Sequence, residues 1–279
     1  MSPLPARPAF PYALQETRMT SSASAPRRRA GLLAATLFLA TPLAMAADTA
    51  PHWGYERIVT PEHWSEFAPA CRGELQSPIN LWSSSVRHGE QPRLATHYAA
   101  TRFDVINNGH TLQATPLPGQ DNTIELDGER FTLAQFHVHT PSEHHVDGHE
   151  HDMELHLVHA SASGRIAVLA VFYDVGEPDP ALAELFDRIP GELGQAGNQL
   201  ALQETIDPAA LLPVHSRVVH YSGSLTTPPC SEGVLWNIEL QPRQLSRSQL
   251  DALRHVYPHN ARPIQSFNAR RLVDEPAAP

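Results

Sequence analysis

Two stretches of this sequence combine metal-binding side chains with strand-like spacing: Gln135-Phe136-His137-Val138-His139-Thr140-Pro141-Ser142-Glu143-His144, and Glu154-Leu155-His156-Leu157-Val158-His159. In an extended chain alternate residues share a face, so His137 and His139 project together with Cα atoms about 7 Å apart. If the second stretch is a strand lying alongside, His156 completes a cradle of three imidazoles. Three protein ligands leave the fourth tetrahedral position of a zinc ion to water, which is the layout of a catalytic and not a structural site. With 17 histidines in 279 residues, some His-x-His pairs arise by chance. The neighbours set this pair apart. Gln135 and Glu154 each lie two residues before a proposed ligand, on the same strand face, where an amide oxygen or a carboxylate can accept the ligand's second N–H.

A rival ligand set lies between the two stretches, at His144-His145-Val146-Asp147-Gly148-His149-Glu150-His151-Asp152. Its charge and its glycine turn favour a solvated loop, so His149 and His151 are set below His137, His139 and His156. The two cysteines, Cys71 and Cys230, have no close Cys or His partner in a finger-like spacing. Two free thiols would be a liability in an oxidising compartment, so a single disulfide is expected. In the chain-entropy picture a loop that long is worth about 5 kcal/mol. All 20 basic residues are arginine, which excludes lysine Schiff-base chemistry.

The elements that must position these residues are mostly short strands. Thr111–Thr115 alternates loosely. Asn122–Leu126 and Glu129–Leu133 flank Asp127-Gly128, a hairpin signal. Ile166–Tyr173 is a continuous apolar run, as for a strand buried on both faces. Val214–Tyr221 and Gly233–Leu240 are further strand candidates. Helical patterning is confined chiefly to Pro180–Arg188 and Ser246–Arg254, with Ser246 as N-cap. The 26 prolines agree with a loop-rich, strand-dominated domain, and no repeat or dividing linker is evident.

Residues 1–46 read as a secretory signal peptide. Arg27-Arg28-Arg29 is the basic end, Ala30–Leu43 is mostly apolar, and Ala44-Met45-Ala46 suits cleavage. The apolar run is shorter than the roughly 20 residues of a membrane anchor and ends near Pro42. Export by the general or the twin-arginine route stays open, and Met19 is an alternative start. Residues 47–279 are enough for one sizeable core. The whole chain has 20 basic and 30 acidic residues; removing a leader with five arginines and one glutamate leaves a formal charge of −14. Such a balance argues against nucleic acid and anionic membrane as partners. Nothing after the leader is apolar enough for stable membrane insertion, and a periplasmic or secreted location is expected.

The ordered set His52-Trp53-Gly54-Tyr55, Gln76-Ser77-Pro78-Ile79-Asn80, Asn107-Asn108-Gly109-His110, the ligand block, Tyr221-Ser222-Gly223-Ser224-Leu225-Thr226-Thr227-Pro228-Pro229-Cys230 and Asn260-Ala261-Arg262-Pro263 resembles the alpha-class carbonic anhydrases. The exported bacterial members are the most similar. The resemblance spans nearly all of residues 47–279 and implies a mainly β fold. That fold is a single domain with a large, mostly antiparallel central twisted sheet and a few short peripheral helices. It implies a Zn2+ enzyme that hydrates carbon dioxide reversibly to bicarbonate and a proton, by zinc hydroxide attack. It also implies His137, His139 and His156 as ligands, supported by Gln135 and Glu154.

By the same resemblance Thr226 accepts a hydrogen bond from the zinc-bound hydroxide and gives its own proton to Glu143. Val158, Val168, Leu225, Val234 and Trp236 form the apolar wall for carbon dioxide, with Thr227 beside it as a polar contact. His110 is the proton shuttle, since an imidazole with a pKa near ~6.5 exchanges protons at neutral pH. Tyr55, Asn108 and Gln113 line the water path, Gln113 standing where well-studied members have asparagine. The small-molecule substrate is carbon dioxide or bicarbonate, and bacterial members imply a homodimer. Three rival functions are a zinc hydrolase acting on esters, a non-catalytic zinc-binding relative and zinc storage by the His-rich stretch. The chain lacks His-Glu-x-x-His, and all three ligands of the cradle are present.

Overall fold

The structure, a computed structural model, describes residues 53–56, 59–88 and 94–274. The expected signal peptide, with Met19, lies outside the described residues, which all fall in one compact unit. Among the described residues, seven strands of five or more residues carry the fold. They are β1 (Phe103–Asn107), β2 (Leu112–Pro116), β3 (Glu129–His139), β4 (Met153–Ser161), β5 (Ile166–Val175), β6 (Val218–Ser224) and β7 (Glu232–Leu245). They lie in the order β1-β2-β3-β4-β5-β7-β6 within a twelve-stranded twisted sheet. Every neighbouring pair of the seven is antiparallel except β5–β7, which is parallel. The expectation of a large, mostly antiparallel sheet with few helices therefore holds. The parallel pairing makes it a mixed sheet.

Local chemistry explains several boundaries. Asp127 and Gly128 have φ of 50° and 78°, the left-handed pair that a two-residue hairpin turn demands. The turn pairs Leu126 with Glu129. β3 then runs on past the expected Leu133 to His139, with a register shift between Leu133 and Gln135, so the turn sets the hairpin end and pairing with β4 sets the histidine end. β5 is buried from Ala167 to Tyr173, as its continuous apolar run predicts, because β4 and β7 flank it and both faces are covered. β6 begins at Val218 instead of Val214, whose side chain is 87% exposed. A 3-10 turn at Pro180–Leu182 leads into α1 (Ala183–Glu192), beyond the expected Arg188. α2 (Arg247–Val256) starts on Ser246, whose hydroxyl accepts from Gln249 N while the Gln249 side chain returns to the backbone N–H of Ser246. That capping box satisfies two of the helix's orphan donors.

The sheet's two faces have different duties. On one, Phe136, Val138, Leu155, Leu157, Leu169 and Val171 pack beneath α1 and α2. On the other, Val168, Ala170, Phe172, Tyr221, Trp236 and Ile238 form a second core with Ile79 and Leu81. Alternation along β3 and β4 puts His137, His139 and His156 on this second face, opposite the helices.

The His-rich stretch corrects its reading as a solvated loop. His145–Val146 and His149–Glu150 are short paired strands around an Asp147-Gly148 turn, and Asn80–Leu81 joins them. Asp147 to Glu150 are exposed, as the solvated reading expected, while His144 and His151 are buried. Both find polar partners inside the fold, and those contacts offset the desolvation that had favoured a surface position.

Candidate metal centre

Register between β3 and β4 builds the cradle. His137 pairs directly with His156, and Glu154 with His139. The three imidazole centroids lie 5.0, 5.1 and 4.7 Å apart. Each ring has one nitrogen committed to an acceptor. His137 Nδ1 donates to Gln135 Oε1 at 2.8 Å, His139 Nδ1 to the Asn260 carbonyl at 2.7 Å, and His156 Nε2 to Glu154 Oε1 at 2.7 Å. The remaining nitrogens, Nε2, Nε2 and Nδ1, therefore carry lone pairs and converge within 4.8 Å.

Three inward lone pairs without a donor suit a cation. His139 Nε2 is buried without a hydrogen-bond partner, and His156 Nδ1 stands 3.3 Å from His137 Nε2. Two nitrogens each about 2.05 Å from a tetrahedral zinc are separated by about 3.3 Å, so the donor set fits this ion. Burial pushes the His137 imidazole well below its usual range, and neighbouring His139 and His156 push it further. Burial likewise lowers His139, against an opposing pull from Glu143. These two rings are thus favoured in the neutral form that ligation needs.

Behind the cradle lies a buried polar relay. Glu154 accepts from His156, from His144 Nδ1 at 2.7 Å and from the His144 backbone N–H at 2.8 Å. His144 Nε2 then accepts from Tyr221 Oη at 2.6 Å, which in turn meets Ser77 Oγ at 2.8 Å. Burial alone would raise the Glu154 carboxyl, but His144 and His156 beside it hold it well below the usual carboxylate range. A fixed carboxylate behind His156 sets its tautomer and ring orientation.

Glu143 and Thr226 are both buried. Glu143 Oε1 accepts the backbone N–H of Arg262 at 2.9 Å, and its Oε2 lies 3.5 Å from His139 Nε2 with no hydrogen bond. The bond expected from Thr226 to Glu143 is not formed in this structure; Oε2 stays unfilled. Arg262 also donates to Gln76 Oε1 at 3.0 Å and to the Ser77 carbonyl at 2.8 Å. The Cys71–Cys230 disulfide is formed, with Cα atoms 4.9 Å apart. It ties down the segment after Thr226, where Cys230 N donates to the Thr227 carbonyl at 2.8 Å.

The expected apolar wall gathers in one cluster, with Val168, Val234 and Trp236 buried and Val158 and Leu225 partly so. Val158 pairs with Val168, and Val168 with Trp236, in one lateral row. The Trp236 ring centroid is 4.9 Å from that of His156. Gln113 pairs with His137 from β2. His110 is half-buried and stacked on Trp53 at 3.6 Å. Tyr55 lies edge-on to Trp53 and Trp64. Asn108 spends its side-chain oxygen on the backbone N–H groups of His110 and Thr111. Its role in this structure is to shape the turn that presents His110.

Sequence reasoning missed His144, Tyr221 and Ser77 as the relay, Asn260 as the acceptor for His139, and Trp53 under His110. Tyr221, Ser77, Asn260 and Trp53 sit in the motifs that carried the resemblance, which was the available signal. His144 was masked by its histidine-rich surroundings.

Comparisons with known proteins point the same way as the geometry. A family model described as eukaryotic-type carbonic anhydrase matches residues 59–275. A carbonic anhydrase of Nostoc sp. is 40% identical over 230 residues, covering 80% of this chain and 86% of that protein. One from Klebsiella pneumoniae is also 40% identical over 230 residues, with 81% and 92% covered. Among solved structures, an alpha-carbonic anhydrase from Thermovibrio ammonificans in complex with the inhibitor sulfanilamide superimposes with a TM-score of 0.75. It is 40% identical, and the match covers 80% of this chain and 98% of that one.

Proposed function

The chain belongs to the eukaryotic-type, alpha-class carbonic anhydrases, and on that premise we propose that it is a zinc enzyme hydrating carbon dioxide to bicarbonate with a histidine proton shuttle. The observation that carries this reading is the convergence of three imidazole lone pairs, one of them buried and unpartnered, with each ring's other nitrogen already committed. His137 Nε2, His139 Nε2 and His156 Nδ1 hold the ion. When bound, zinc supplies the Lewis acidity that makes water a nucleophile at neutral pH, as in carbonic anhydrases generally.

The chain's own residues supply the rest. Gln135, the Asn260 carbonyl and Glu154 orient the three rings. Glu143 Oε2 is an unfilled acceptor; with the Thr226 hydroxyl proton directed to it, Thr226 can only receive from the attacking water, which turns a lone pair toward the substrate. Carbon dioxide offers few hydrogen bonds, so Val158, Val168, Leu225, Val234 and Trp236 hold it by dispersion in a dry recess, with Thr227 at its edge. His110 takes the product proton through water lined by Tyr55 and Gln113 and passes it to buffer. The disulfide accords with export to an oxidising compartment, periplasmic or extracellular. Among the described residues no helix is long and apolar enough to cross a membrane.

Stopped-flow carbon dioxide hydration tests the reading. Activity is expected to be inhibited by sulfanilamide, lost on zinc removal and restored by zinc, while His156→Ala abolishes activity and the zinc held at the cradle. Absence of sulfanilamide-sensitive hydration in the zinc-loaded protein would overturn it.

A further inference from the structure

We propose that His149, His151 and Asp174 form a second site for a divalent transition-metal ion, sharing no residue with the cradle. One ligand atom from each of the three lies within 4.8 Å of the others. His149 and His151 are two residues apart, and their ring centroids are 4.7 Å apart with planes at 85°. Asp174, near the end of β5, comes from elsewhere in the chain. His151 Nδ1 meets its carboxylate oxygens at 2.9 and 3.1 Å.

The site is held in place where it matters. The His151 ring is buried and stacked on Phe172 at 4.4 Å. Its backbone is tied twice to Ser142, N–H to Oγ at 2.9 Å and carbonyl to N–H at 3.0 Å. Two of the three donors are thus preorganised, while exposed His149 closes from the solvent side and leaves room for water to complete the coordination. Two imidazole nitrogens and one carboxylate oxygen favour Zn2+, Co2+, Ni2+ or Cu2+ over Mg2+ or Ca2+, which prefer oxygen donors. An ion there crosslinks the 145–150 hairpin to β5. In the metal-free state the same residues amount to a hydrogen-bonded His151–Asp174 pair with His149 beside it.

Equilibrium dialysis of the metal-stripped full chain against Zn2+, with metal counted per chain, tests the proposal. Two tight equivalents are expected, falling to one in His149→Ala and in Asp174→Asn, with carbon dioxide hydration unchanged in His149→Ala. In a His156→Ala background one equivalent remains and Zn2+ raises the melting temperature; adding His149→Ala removes both effects. Exposed His149 can be replaced without disturbing the core, so the reading stands on that variant. A single equivalent in the wild-type chain overturns the proposal, as does a second equivalent that survives His149→Ala.

Discussion

Asn260 shows how much of the centre can depend on one residue. Its carbonyl accepts from His139, its side-chain oxygen from Thr140 N at 2.7 Å, and its amide donates to the carbonyls of His110 and Val138 at 3.0 and 3.1 Å. His139 and the turn that carries His110 are therefore positioned from one point. The His110 ring itself rests on Trp53, stacked at 3.6 Å. His110→Ala is expected to slow turnover at low buffer by about 10²-fold and to recover on adding imidazole, while metal content stays the same. Stopped-flow assays at graded buffer concentration check this. Turnover independent of the substitution at low buffer would remove His110 from the proton path.

Among the elements, β3 carries two of the three cradle histidines, and its hairpin end is set by the Asp127-Gly128 turn. Gly128 has φ +78°, and a Cβ added there meets nothing within 4 Å. The cost of Gly128→Ala is then conformational, about 1 kcal/mol, or about 2–4 °C in melting temperature for a domain of this size. Thermal unfolding of the zinc-loaded variant measures it, and an unchanged midpoint would show that the turn does not need this backbone. The turn and the Ser246 cap were legible in the sequence because each rests on interactions within a few residues. The parallel pairing of β5 with β7 was not, because it joins Ala167 to Leu235 and Val168 to Trp236 across a connection with no local signature.

For the molecule as a whole, acid stability should turn on a histidine that the site does not use. His159 is fully buried, its Nε2 accepting from Tyr98 Oη at 2.9 Å. Burial lowers its pKa to about 3, against about 6.5 in the unfolded chain. The folded state keeps the ring neutral, so its contribution is intact above about pH 6.5 and is lost as pH falls toward 3, because only the unfolded chain takes up the proton. At pH 4.5 the loss amounts to about 2–3 kcal/mol. Urea unfolding at pH 7.5 and pH 4.5 should show a smaller pH-dependent loss in His159→Gln than in the wild-type protein. Equal losses in the two proteins would rule His159 out as the source.

What the sequence determined by itself was whatever a few neighbouring residues can enforce. The two-residue period of a strand puts His137 and His139 on one face with Gln135, and Glu154 with His156. Tertiary structure decided which partners meet them. Asn260 reaches His139 across 121 positions, Arg262 reaches Glu143 across 119, and Tyr221 reaches His144 across 77. Asp174 reaches His151 in the same way, from another strand. Such contacts have no spacing rule, since they depend on strand order and register settled by burial of both sheet faces. That burial also drew His144 and His151 into the fold, where composition alone had placed them at the surface.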